Sequence, residues 1–177
     1  MPRLFTALEI PDPLASRLTL VRGGLAGARW VEPENFHITL RFIGDVDNAT
    51  AHEIDNELAK IRHRKFAVAV NRLDVFGGAR PRALVALAQQ TASLLDLQAE
   101  HERTVRRIGM APETRKFTPH VTLARLRGAS AADVAAYLAM WGLFPEAIFV
   151  AERVVLMSSR PSTGGAPYVE ESVYALS

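Results

Sequence analysis

His37-Ile38-Thr39-Leu40 and His120-Val121-Thr122-Leu123 are one pattern written twice, the second copy 83 residues after the first (120 − 37). Each falls in a strand-like run, Phe36 to Ile43 and Phe117 to Leu126, the second tolerating Pro119 near its start. Side chains alternate across a strand. His37 and Thr39 therefore share one face, with Ile38 and Leu40 on the other; His120 and Thr122 stand against Val121 and Leu123 in the same way. Each copy sets two polar groups over two apolar ones that enter a core. If the strands lie side by side, two imidazoles and two hydroxyls converge on one cleft. By average residue usage, one such string arises by chance in roughly one chain in a hundred of this length, and two in on the order of one in ten thousand.

The flanking sequence predicts a strand over 3–10 and a helix from a capping Asp12 with Pro13 to Arg22, stopped by Gly23-Gly24. A second helix is capped by Asn48 or Thr50, with Glu53 in capping-box spacing and Ile54, Leu58 and Ile61 as its apolar stripe. Strands Phe66–Phe76 and Arg82–Ala88 form a hairpin with a long loop. A helix from Thr91 to Ile108 ends at Gly109, and another runs from Ser130 to Trp141 with Ser130 and Asp133 as its cap. Strands Ile148–Met157 and Tyr168–Leu176 follow, joined by the loop 158–165. About eight strands and four helices, few of them in parallel-crossover order, make an α+β chain. No linker composition interrupts residues 1–177, which read as one domain.

Hydrophobic residues make up 49% and charged residues 23%, which suits a soluble globular protein and argues against disorder. Without cysteine there is no disulfide framework, thiolate metal site or Cys nucleophile. No apolar stretch has the length of a signal peptide or membrane span, so the chain reads as cytoplasmic with no membrane partner; it is expected to be a monomer. A net charge of +2 permits a phosphate-bearing ligand without demanding one.

Two histidines and two threonines on one cleft suit in-line attack at phosphorus. One neutral imidazole takes a proton from water; the other, protonated, delivers one to the departing ribose oxygen. The Thr39 and Thr122 hydroxyls donate to non-bridging phosphate oxygens, where charge grows in the transition state. His-Glu-x-x-His and His-x-His are absent, so no metal and no cofactor is expected.

With these residues in view, the chain resembles the 2H phosphoesterase superfamily, and most closely its RNA 2′,3′-cyclic phosphodiesterases, once named 2′-5′ RNA ligases. Arg3-Leu-Phe-Thr-Ala-Leu8 resembles the family's opening strand. Trp30-Val-Glu-Pro-Glu-Asn-Phe-His-Ile-Thr-Leu-Arg-Phe-Ile-Gly44 and Arg115-Lys-Phe-Thr-Pro-His-Val-Thr-Leu-Ala-Arg125 resemble its two motif regions. The stretch from Leu156 through Tyr168 resembles its C-terminal Ser- and Gly-bearing loop. The resemblance implies a bilobal fold: two antiparallel sheets around a central cleft, helices outside. It implies hydrolysis of a 2′,3′-cyclic phosphate on an RNA end to a 2′-phosphomonoester, with 2′-5′ ligation as the reverse reaction. It assigns catalysis to His37, Thr39, His120 and Thr122, and places Arg125 near the phosphate.

Strict alternation sets Arg125 on the wrong face, five residues after His120, unless a bulge turns it back. Arg41 shares parity with His37 and Thr39 and is a substrate-binding candidate particular to this chain. Phe42 and Phe117 have core parity. His101 reads as a boundary residue, His52 and His63 as solvated, and Arg103, Arg106 and Arg107 as a solvated helix face. The competing readings are a phosphodiesterase acting on small cyclic phosphates such as ADP-ribose cyclic phosphate, and a non-catalytic module that binds RNA ends.

Overall fold

The computed structural model describes residues 2–159 and 167–177. Its strands are β1 (Arg3–Glu9), β2 (Ala28–Trp30), β3 (His37–Asp45), β4 (Phe66–Phe76), β5 (Ala83–Ala88), β6 (His120–Leu126), β7 (Ala147–Ala151), β8 (Arg153–Ser159) and β9 (Tyr168–Ala175). Its helices are α1 (Asp12–Thr19), α2 (Asn48–Leu58), α3 (Ala92–Ile108) and α4 (Ala131–Trp141). The α+β expectation holds. The strands run in the order β7-β4-β5-β6-β3-β1-β8-β9, with β2 beside β6, and their pairings are antiparallel.

The sheet is two lobes joined at a narrow seam. One lobe is β3-β1-β8-β9; the other is β7-β4-β5-β6 with β2. Between β3 and β6 a single pairing, Ile38 with Val121, connects them, so the two expected sheets are hydrogen-bonded into one. Both residues are fully buried. The apolar half of each motif thus makes the joint, and the polar half faces away from it.

Local chemistry explains the frame. β1 runs through the middle of its lobe, so Leu4 to Leu8 are all buried, as expected for a strand covered on both faces. On one side Leu4 packs with Ile54, Leu58 and Leu156; on the other Phe5 and Ala7 pack with Val155 beneath the cleft. Leu94, Leu97, His101 and Val105 form the buried stripe of α3, whose first turn is capped by Thr91 Oγ1 accepting from Leu94 N at 3.3 Å. Gly109, at φ 111°, ends it in a left-handed turn.

Several boundaries differ from expectation. Pro11, not Asp12, is the N-cap residue of α1, which has no side-chain cap and ends at Thr19. Asp47 caps α2 by accepting from Thr50 N at 2.7 Å. The expected strand Ile148–Met157 is two strands in different lobes: β7 pairs with β4 at one outer edge, while β8 lies between β1 and β9. The chain crosses over at Glu152, whose carbonyl accepts from Leu176 N at 2.8 Å. Of the expected loop 158–165, residues 160–165 lie outside the described residues. No helix among the described residues is long and apolar enough to cross a membrane.

Candidate active site

The Ile38–Val121 pairing fixes the register of the two motifs. Extended by one residue each way, antiparallel geometry sets His37 alongside Thr122 and Thr39 alongside His120. All four side chains are half-buried, on the face away from the core. His37, Thr39, Thr122 and Arg125 line a cavity of about 570 Å³, together with Phe5, Arg29, Trp30, Phe42 and Tyr168. His120 stands just beyond that lining, two residues from Thr122 on the same face of β6.

Both histidines are held alike. His37 Nδ1 is 2.8 Å from the carbonyl oxygen of Asn35, and His120 Nδ1 is 2.6 Å from that of Thr118, in each case two residues upstream. A carbonyl only accepts, so each Nδ1 carries the proton and each Nε2 is left for chemistry. The 3₁₀ turn Pro33–Asn35 presents the first of these carbonyls. Aromatic rings fix the imidazole planes: Phe5 and Tyr168 lie 5.1 and 5.2 Å from His37, and Phe76 meets His120 edge-on at 4.8 Å. Burial pulls the His37 pKa below the ordinary histidine value; the Asn35 carbonyl opposes this, and the positive charges of His120 and Arg125 add to it. Burial also lowers the His120 pKa, against the raising effect of the Thr118 carbonyl.

A bulge follows each motif at the same place. Against β1, Thr39 pairs with Ala7 but Arg41 with Thr6, so Leu40 is the extra residue. Against β5, Thr122 pairs with Val85 and Ala124 with Leu84, so Leu123 is extra. Alternation therefore reverses three residues after each histidine. The fifth residue, Phe42 or Arg125, turns to the cavity, and the fourth, Arg41 or Ala124, turns to the core. Arg125 reaches the cleft by this device.

The same device corrects the reading of Arg41 as a substrate ligand. Arg41 is 6% exposed, lies off the cavity and forms an ion pair with Glu102 of α3. It also donates to the Phe42 carbonyl and, at 2.5 Å, to the Ala111 carbonyl. Glu102 in turn accepts from Glu113 N at 3.1 Å. The pair thus ties the bulged strand to α3 and to the segment that leads into the second motif. Phe42, expected in the core, is 42% exposed and lines the cavity.

The family described as LigT like Phosphoesterase matches the sequence twice, over residues 8–86 and 85–168, with one histidine motif in each match. The chain belongs to the LigT-like phosphoesterase family. It is 40% identical over 122 residues to the RNA 2′,3′-cyclic phosphodiesterase of Aeropyrum pernix, covering 66% of this chain and 69% of that one. To the enzyme of the same name from Bacillus subtilis it is 31% identical over 130 residues, 70% and 71% of the two chains. Among solved structures, E. coli LigT complexed with 3′-AMP superposes with a TM-score of 0.80 at 22% identity, over 99% and 98% of the chains. TT0787 of Thermus thermophilus gives 0.78 at 22% identity, over 98% and 97%. At that identity the likeness is one of fold.

The cavity wall of this LigT-like phosphoesterase includes residues that strand parity does not reveal. Arg29 and Trp30 come from the short β2, Tyr168 opens β9, and Arg3 and Phe5 belong to β1. Only pairing places them: Phe5 sits opposite Phe42, and Arg29 opposite Arg125. His101, expected at a boundary, is 2% exposed inside α3's packed face. His52 is exposed, as are Arg103, Arg106 and Arg107, but His63, expected to be solvated, is half-buried with its ring edge-on to Phe66 at 5.4 Å. Among the described residues no three His, Asp or Glu side chains converge as a metal-ligating group.

Proposed function

We infer that this LigT-like phosphoesterase is an RNA 2′,3′-cyclic phosphodiesterase that opens the ring to a 2′-phosphomonoester. One observation carries the reading: two histidines meet at the lobe seam, each pinned through Nδ1 by a backbone carbonyl and each with no partner on Nε2 among the described residues. One Nε2, unprotonated, takes a proton from water as its oxygen attacks phosphorus. The other, protonated, gives its proton to the ribose O3′ as the P–O3′ bond breaks, leaving the phosphate on O2′. The Thr39 and Thr122 hydroxyls donate to the non-bridging oxygens, and Arg125 offsets the charge that gathers there. An RNA 5′-hydroxyl in the place of water, attacking phosphorus as the P–O3′ bond breaks and O3′ takes the proton, gives a 2′-5′ phosphodiester by the same two histidines. All of these groups come from one chain, both lobes contributing, so a monomer acting as a single domain suffices. The relatives named for this reaction support the reading, as does the sharing of the two motifs between two family matches.

The test is incubation of the purified protein with EDTA and a short RNA ending in a 2′,3′-cyclic phosphate. The expected product is a 2′-phosphate, identified by mass and by phosphatase and periodate sensitivity. His37→Ala and His120→Ala each abolish turnover while the circular dichroism spectrum stays native. Turnover by either variant at the wild-type rate would sink the mechanism. A 3′-phosphate product would mean that the other ribose oxygen leaves.

A further inference from the structure

We propose that Arg29 provides a second anion subsite beside Arg125, which takes the phosphodiester on the 5′ side of the terminal nucleotide. The proposal rests on the reading of the cleft as a site for RNA ends.

Arg29 in β2 is the direct cross-strand partner of Arg125 in β6, and both line the cavity. Directly opposed residues project to one face, and like charges so placed repel. Repulsion of this kind is usually relieved by a carboxylate, yet neither arginine forms an ion pair among the described residues. Residues 160–166 contain no Asp or Glu. The other charged groups on the cavity wall are engaged: Arg3 pairs with Asp45 at 3.3 Å, and Glu32 with Arg22 at 3.1 Å. Two uncompensated guanidiniums side by side make a site for an anion, and their fork of donors matches phosphate oxygens.

The backbone under Arg29 is fixed at both ends. Val31 N donates to the Leu123 carbonyl at 2.9 Å, and Arg127 N to the Gly27 carbonyl at 2.9 Å. Gly27, at φ +81°, leaves no room for a side chain, since a Cβ would stand 2.6 Å from the Arg127 carbonyl oxygen. Arg125 lines the cavity with His37 and Thr122, and in the proposed mechanism it serves the reacting phosphate. Arg29, one strand further out, meets a different anion. On an RNA end the next phosphate is the one 5′ of the terminal nucleoside. A cyclic mononucleotide has none.

The experiment compares wild type, Arg29→Gln and Arg29→Lys on three substrates. They are adenosine 2′,3′-cyclic phosphate, its 5′-phosphorylated form, and an adenylyl dinucleotide ending in the cyclic phosphate; melting curves establish that the variants are folded. In the wild type the 5′-phosphate, free or diesterified, raises kcat/KM about tenfold or more, chiefly through KM. Arg29→Gln lowers the ratio of dinucleotide to mononucleotide kcat/KM by about tenfold, and Arg29→Lys lowers it less. An equal fall on all three substrates, or no wild-type gain from the 5′-phosphate, overturns the subsite and leaves the phosphodiesterase reading intact. Wild-type protein that opens none of the three overturns that reading, and the subsite with it.

Discussion

Lowering the pH from 7.5 to 4.5 should destabilise this protein through a histidine that has no part in the chemistry. His101 sits in α3 at 2% exposure, with Nδ1 buried and without a hydrogen-bond partner among the described residues. Burial, with a smaller contribution from the positive charge of His63, lowers its pKa from 6.5 to about 4. In the unfolded chain the imidazole protonates near 6.5; in the folded one it resists until about 4. Between those values the unfolded state binds more protons, so stability falls as pH falls. Above pH 6.5 the residue contributes no slope. At 1.36 kcal/mol per pH unit, the loss is about 2.5 kcal/mol at pH 4.5 and approaches about 3.4 kcal/mol below pH 4. That is a large fraction of the ~5–15 kcal/mol that holds a domain folded. The assay is urea denaturation of wild type and His101→Leu at both pH values. Leucine fills a similar space and removes an unpaired polar atom, so the variant should at least match wild type at pH 7.5. On acidification the wild type should lose about 2.5 kcal/mol more than the variant, a difference in which the titration of His37, His120 and the carboxylates cancels. Parallel losses in the two proteins would refute the claim that His101 is held neutral.

His37 and His120, in the proposed mechanism, carry a related expectation for turnover. Both pKa values lie below 6.5, so the window in which one imidazole is neutral and the other protonated lies on the acid side, and kcat/KM should peak below pH 6.5. A maximum above pH 7 would contradict the assigned burial, provided that the His101 transition is first mapped by the denaturation series. Arg41→Ala removes a buried guanidinium and leaves the half-buried Glu102 without its ion partner, which should cost about 3 kcal/mol in urea denaturation, far more than a surface arginine does. Phe42→Ala removes an exposed ring beside the phosphate subsite and should raise KM for purine-ended RNA about tenfold, with kcat less affected, if the terminal base stacks there.

The legible parts of this molecule are those where one period governs a whole element. The stripe Leu94, Leu97, Val105 marks α3, and Ser130 marks the start of α4, where its Oγ accepts from Asp133 N at 3.0 Å. The break at Glu152 is illegible because no Gly or Pro stands there and apolar residues run on through both strands. Only the competition between β4 and β1 for partners divides them. The bulges at Leu40 and Leu123 are illegible for a sharper reason: an inserted residue leaves no mark in composition, yet reverses every assignment after it. Parity carries His37 to Thr39, and His120 to Thr122, because pairing is regular that far. One residue later it fails in both copies, and the two failures have one geometry. That is why a single error in the reading of alternation exchanged Arg41 for Phe42 and left Arg125 unexplained. It also shows what the repeat contributes. Two strands that bulge at the same step turn their fifth residues, an aromatic ring and a guanidinium, onto one cavity, so each lobe lines the cleft at its seam with a different chemistry.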